Sequence, residues 1–177
     1  MQVLAALSAG ATSGLLVILA AERLGIGPSG FGFLLGAIGL GAASGPLLLR
    51  RLIAASDRRW LFGPYAVRGG VDLALAAAAS PLVAVPALAL YGIGTSTGMI
   101  AFQSTLQREV PSELRGRAFA LCDVLWNAAR LVSLGLDGML ADAIGIRAVY
   151  AVGGLLLLGA FAIGWSGYRP TGKSRPQ

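Results

Sequence analysis

Apolar residues gather in six long stretches, roughly 3–21, 31–49, 61–79, 82–106, 118–140 and 148–166, parted by short polar gaps. A helix needs about 20 residues to cross the ~30 Å hydrocarbon core of a bilayer, and each stretch is close to that length. The pattern predicts an all-α membrane protein with six transmembrane helices in one domain, residues 1–166, followed by a polar tail, residues 167–177. The connections divide into an outer set, 22–30, 80–81 and 141–147, and an inner set, 50–60 and 107–117.

Charge fixes the direction of travel. The gap after the second stretch holds Arg50, Arg51, Arg58 and Arg59, the gap after the fourth holds Arg108, Arg115 and Arg117, and the tail holds Arg169, Lys173 and Arg175. The remaining connections carry only Arg23 and Arg147. Basic residues mark the cytoplasmic side of short loops, so the tail and both arginine-rich loops are expected inside, with both termini cytoplasmic. Met1 and Gln2 precede the first stretch without a basic segment, and no cleavage site followed by a soluble chain is evident, so the first helix is read as retained.

Composition narrows the function. With 56% hydrophobic and 12% charged residues the chain has too little polar surface for a soluble globule of 177 residues. The net charge of +6 is spread over short loops on one membrane face, which fits anionic lipid headgroups rather than nucleic acid. The chain has no histidine and one cysteine, Cys122, inside an expected helix. A Ser-His-Asp hydrolase and an internal disulfide are excluded, and neither a metal site nor a cofactor is expected. An enzyme is not expected.

Aromatic residues fall where interfacial anchors belong: Phe31, Phe33, Trp60, Tyr150, Trp165 and Tyr168. Small residues four apart, Gly32 with Gly36, Gly41 with Gly45 and Gly94 with Gly98, suit close helix packing. Pro86 and the run Thr95–Ser96–Thr97 interrupt the fourth stretch. Two readings stand there: a helix whose hydroxyls bond its own backbone, or a bend lining a substrate path.

Ionisable groups at membrane depth are the best functional pointers. On the fifth helix Asp123, Asn127, Arg130 and Asp137, with Leu134 between, fall within an arc of about 80° at ~100° per residue, forming one polar stripe. It is read either as the wall of an aqueous cavity or as an interhelical network that fixes packing. On the third helix Arg68 and Asp72 are four apart and share a face. The plain reading is an intrahelical ion pair; the alternative is a proton-exchanging Asp72 tuned by Arg68. Ser8 and Thr12 share a face of the first helix, either turned to a cavity or bonded back to their own backbone.

Residues 103–118, QSTLQREVPSELRGRA, resemble the loop between helices ten and eleven of major facilitator superfamily exporters, in particular the branch with macrolide-efflux and enterobactin-export transporters. Pro111 stops one helix, Ser112 is suited to cap a short new one, and Arg108, Arg115 and Arg117 around Gly116 hold the loop at headgroups. Residues 138–150, GMLADAIGIRAVY, resemble the passage into helix twelve of that family. The Arg50–Arg51 loop, with Gly45 before it and Asp57 within it, is similar to the family's gating motif, with wider spacing. The resemblance implies a half bundle, equivalent to helices seven to twelve, whose first, second, fourth and fifth helices line a cavity between two halves.

It further implies a half-size or truncated secondary transporter of the plasma membrane that exports small amphiphilic molecules, driven by an ion gradient. Its cavity residues would be Ser8, Thr12, Thr95, Asp123, Asn127 and Arg130. A second six-helix half, a second copy or a separate chain, is the expected partner. An inactive transporter remnant and a six-helix scaffold without a carrier cycle are the alternative readings.

Overall fold

The computed structural model describes residues 2–49, 58–78 and 80–167. They form helices α1 (Gln2–Ile18, continued by one π-helical turn, Leu19–Arg23), α2 (Pro28–Leu49), α3 (Arg58–Ala77), α4 (Pro81–Glu109), α5 (Ser112–Ile144) and α6 (Ile146–Gly167), and no strand is present among the described residues. Among the described residues α1 with its π-helical turn, α2, α4, α5 and α6 are long and apolar enough to cross a membrane. Helix α3 carries Arg68 and Asp72 in its middle.

The helices end where residues forbid continuation. Gly25 takes a left-handed φ of 62° between α1 and α2, and Gly145 takes 82° between α5 and α6, values that a side chain resists. Ser80 caps α4, its hydroxyl accepting from the Leu82 amide at 3.2 Å, with Pro81 in the first turn where its missing N–H is harmless. Pro86 lies inside α4 without ending it.

Two expectations are corrected. The connection expected over 107–117 is almost entirely helical: only Val110 and Pro111 separate α4 from α5. Ser112 therefore begins the long helix α5 rather than a short one, and its hydroxyl bonds Glu113 Oε1 at 2.7 Å. Hydropathy marks where a helix is apolar, whereas backbone geometry marks where it stops. Helix α5 accordingly runs well beyond its apolar stretch at both ends.

Apart from α3 with α4, sequence neighbours are not the main packing partners. Helix α2 packs chiefly on α4, α3 on α6 and on α4, and α1 on α5, with α1 also against α6. Lipid is as apolar as leucine, so close backbone approach matters more here than hydrophobic burial. At the α2–α4 crossing a Cβ on Gly41 would collide with the Ala89 carbonyl oxygen, and one on Gly92 with the Ile38 carbonyl oxygen. At the α3–α6 crossing Gly69 and Gly154 face each other, a Cβ on either lying 2.8 Å from the other's carbonyl oxygen. Gly10 of α1 faces Ser133 of α5. Around these crossings Leu16, Leu34, Leu75, Leu88 and Tyr150 fill a core drawn from α1, α2, α3, α4 and α6. Helix α5 lies at the margin, with Ala129, Ser133 and Asp137 its buried residues.

Candidate functional site

The polar residues fall into two groups. The first is a buried cluster where α1, α3, α4 and α6 meet. Asp72 is 1% exposed; its Oδ2 accepts from Ser8 Oγ at 2.8 Å and its Oδ1 from Thr12 Oγ1 at 3.0 Å. Thr12 Oγ1 also lies 3.0 Å from the Ser8 carbonyl, sharing its single proton between the carboxylate and its own helix. Gly153 leaves room over this carboxylate, since a Cβ there would sit 3.7 Å from Asp72 Oδ2. Tyr150 donates to the Thr12 carbonyl at 3.3 Å, tying α6 to the same turn of α1.

Arg68 does not complete a direct ion pair with Asp72. Its Nη2 donates to the Ala5 carbonyl at 3.1 Å and reaches the Tyr91 hydroxyl at 3.4 Å, and its guanidinium lies 5.0 Å from the Tyr91 ring centroid. The two charges of α3 stay within electrostatic reach of each other, while their hydrogen bonds go to neighbouring helices. The physical reason lies in reach: side chains one turn apart on α3 meet hydroxyls and a carbonyl on α1 that satisfy hydrogen-bond geometry, and those bonds also join helices.

Beside Arg68 opens a cavity of about 360 Å³, walled by α3, α4 and single residues of α1, α2 and α5. Tyr65, Thr95, Met99, Phe102 and Trp126 line it together with Arg68. Two buried polar atoms at this cavity, Arg68 Nε and Thr95 Oγ1, have no hydrogen-bond partner. The other hydroxyls of the run do bond their own helix: Ser96 to the Ile93 carbonyl at 3.2 Å and Thr97 to the same oxygen at 2.7 Å.

The second group is on α5, where the polar stripe divides. Asp137 is buried, accepting from Ser133 Oγ at 2.7 Å, while Ser133 Oγ also reaches the Leu7 carbonyl of α1. Asp137 thus belongs to the packed face. Asp123, Asn127 and Arg130 are exposed, and Asn127 donates to the Asp123 carbonyl at 2.8 Å.

Ser8, Thr12, Arg68 and Asp72 are therefore brought together, Thr95 shares a cavity with Arg68, and Asp123, Asn127 and Arg130 stand apart on the outer face of α5. At the α4–α5 corner Arg108, Pro111, Arg115, Gly116 and Arg117 are exposed, and Arg115 Nε closes the corner onto the Val110 carbonyl at 3.0 Å. Arg50 and Arg51 lie outside the described residues, as does Tyr168, and the Trp60 side chain is not described. Tyr150, expected as an interfacial anchor, is instead 1% exposed. Tyr91 and Ser133 were not singled out from the sequence. A hydroxyl in the middle of an apolar stretch is the signal that marks both.

A helical bundle of membrane-crossing length with charged groups in its interior defines a multi-pass membrane protein. The family model of the Major Facilitator Superfamily matches residues 1–177, and the chain belongs to that superfamily, a family of transporters. No curated protein matches the chain. The principal packing pairs match the three-plus-three repeat expected of such transporters. Placing the first three helices on the last three exchanges the α1–α5 and α2–α4 pairs and maps α3–α6 onto itself. The same exchange relates α3–α4 to α1–α6.

Proposed function

We propose that this chain is one half of a secondary transporter of the plasma membrane that exports small amphiphilic molecules by alternating access, driven by an ion gradient. The resemblance of residues 103–118 to macrolide-efflux and enterobactin-export transporters supports the substrate class and the direction. The observation that carries the reading is the exposed row Asp123, Asn127 and Arg130 along a helix of membrane-crossing length. A charge at the bilayer centre costs at least about 2.5–3.5 kcal/mol against lipid, so this row faces water or protein. In a two-half carrier it faces both: an aqueous path and, across it, the second six-helix half, supplied by a second copy or a separate chain. The tail and arginine-rich loops then lie in the cytoplasm.

Single cysteines test the reading. In a Cys122→Ser background, Asn127→Cys and Arg130→Cys are expected to react with a membrane-impermeant maleimide. Leu125→Cys and Val132→Cys are on the opposite, equally exposed but apolar side of α5 and are expected to stay unlabelled. Equal labelling of the two faces would remove the aqueous path.

A further inference from the structure

We propose that the cavity walled chiefly by α3 and α4 is a binding subsite for the anionic head of an aromatic or apolar organic acid. The inference deepens the transport reading and rests on it for its biological meaning, whereas the site itself rests on geometry. Arg68 is 5% exposed, lines the cavity and keeps one donor, Nε, without a partner. Thr95 lines the same cavity with an equally unpartnered buried hydroxyl.

Buried donors are almost always satisfied, and an unmet donor on a guanidinium is the more demanding case because bonds to charged groups are the strong ones. The groups in direct contact with Arg68 are the Ala5 carbonyl and the Tyr91 hydroxyl and ring, all formally neutral. Asp72, one turn along the same helix, lies within electrostatic reach of Arg68 but takes its hydrogen bonds from Ser8 and Thr12 rather than from the guanidinium. The guanidinium thus enters the cavity with its charge unmatched by direct contact. Both atoms lie just beneath the cavity wall, so a turn of each side chain presents Nε and the Thr95 hydroxyl to a carboxylate or sulfonate. The remaining wall, with Tyr65, Met99, Phe102 and Trp126, is apolar and aromatic, so the body attached to that head must be apolar as well. A volume of about 360 Å³ is within the usual span of ligand pockets, about 300–1,000 Å³, and suits a bicyclic acid.

Purified protein in detergent, titrated with 1-naphthoate and followed by quenching of tryptophan fluorescence, tests this. The neutral analogue 1-naphthalenemethanol serves as control. Naphthoate is expected to bind at least about tenfold more tightly than the alcohol, as a charge-assisted bond requires. Thr95→Val keeps the shape and removes a hydroxyl that holds nothing in the fold. It is expected to leave thermal stability unchanged and to weaken naphthoate binding about two- to tenfold. Arg68→Lys, which retains charge but loses Nε, is expected to abolish the preference for the acid. Equal binding of acid and alcohol, or full affinity in Thr95→Val, would overturn the subsite. Acid binding with these preferences but equal maleimide labelling of the two faces of α5 would uphold the subsite and remove the transport reading instead.

Discussion

Gly92→Ala offers the sharpest test of how the bundle is held, because the sign of its effect is opposite to that of an ordinary helical glycine. Gly92 is buried at the α2–α4 crossing, and a methyl there would drive into the Ile38 carbonyl oxygen and crowd the Ala42 amide nitrogen at 2.8 Å. Both obstacles are backbone, so no rotamer change relieves them, and the two helices must separate. Overpacking of this kind costs about 1–3 kcal/mol, with the rigid obstacle placing this site toward the upper end. Alanine returns up to ~1 kcal/mol of helix propensity, leaving a net loss of about 1–2 kcal/mol. Gly36→Ala on α2 has nothing within 4 Å of its new methyl, so only the propensity acts and the variant gains about 0.5–1 kcal/mol. Reversible unfolding in mixed micelles, titrated with a denaturing detergent and followed by circular dichroism, measures both. A Gly92→Ala protein as stable as Gly36→Ala would refute the assignment of the crossing.

Two further outcomes follow. Ser8→Ala and Thr12→Val each remove one donor from the Asp72 carboxylate and are expected to cost about 0.6 kcal/mol, at most ~1.7, on the scale of interhelical bonds in membranes. The double variant should depart from the sum of the two in the same unfolding assay, since both act on one acceptor. A reporter active only outside the cytoplasm should be silent when fused at Gln177 or near Ser56 and active near Gly27 or Gly145, and activity at Gln177 would reverse the orientation.

Much of the architecture was legible from residues because the bilayer leaves few options: long apolar runs become helices. The crossings were partly legible. Gly41 and Gly45 do sit against α4 and Gly94 and Gly98 against α3, whereas Gly32 and Gly36 meet nothing, since the same spacing also arises on a face that packs against no other helix of the bundle. Gly69 and Gly154 went unnoticed, because a close approach between distant segments leaves no spacing within either one. Helix ends were the weakest reading, as the Val110–Pro111 corner shows. Among candidate site residues, helical period placed Asp123, Asn127 and Arg130 together. It also placed Asp137 with them, though a shift of about 40° around the helix turns that carboxylate onto Ser133 and α1. Arg68 and Asp72 were singled out as charges in an apolar run, but their partners could not be, because Ser8, Thr12 and Tyr91 come from other helices and only tertiary packing brings them near.

The bonds between α3 and α1 have a consequence for biosynthesis. A chain that emerges from the ribosome in order presents α3 to the translocon before α4 and α6 exist. At that moment Arg68 and Asp72 each oppose entry into lipid by about 2.5–3.5 kcal/mol. Tyr91, on α4, is not yet made. The Ala5 carbonyl and the Ser8 and Thr12 hydroxyls already are. Helix α1 is thus the in-built escort of α3, and the order of the helices in the chain serves their delivery to the membrane. Replacing Ser8 and Thr12 by leucine should leave α3 stranded outside the bilayer in nascent chains arrested before α4, as glycosylation mapping would record.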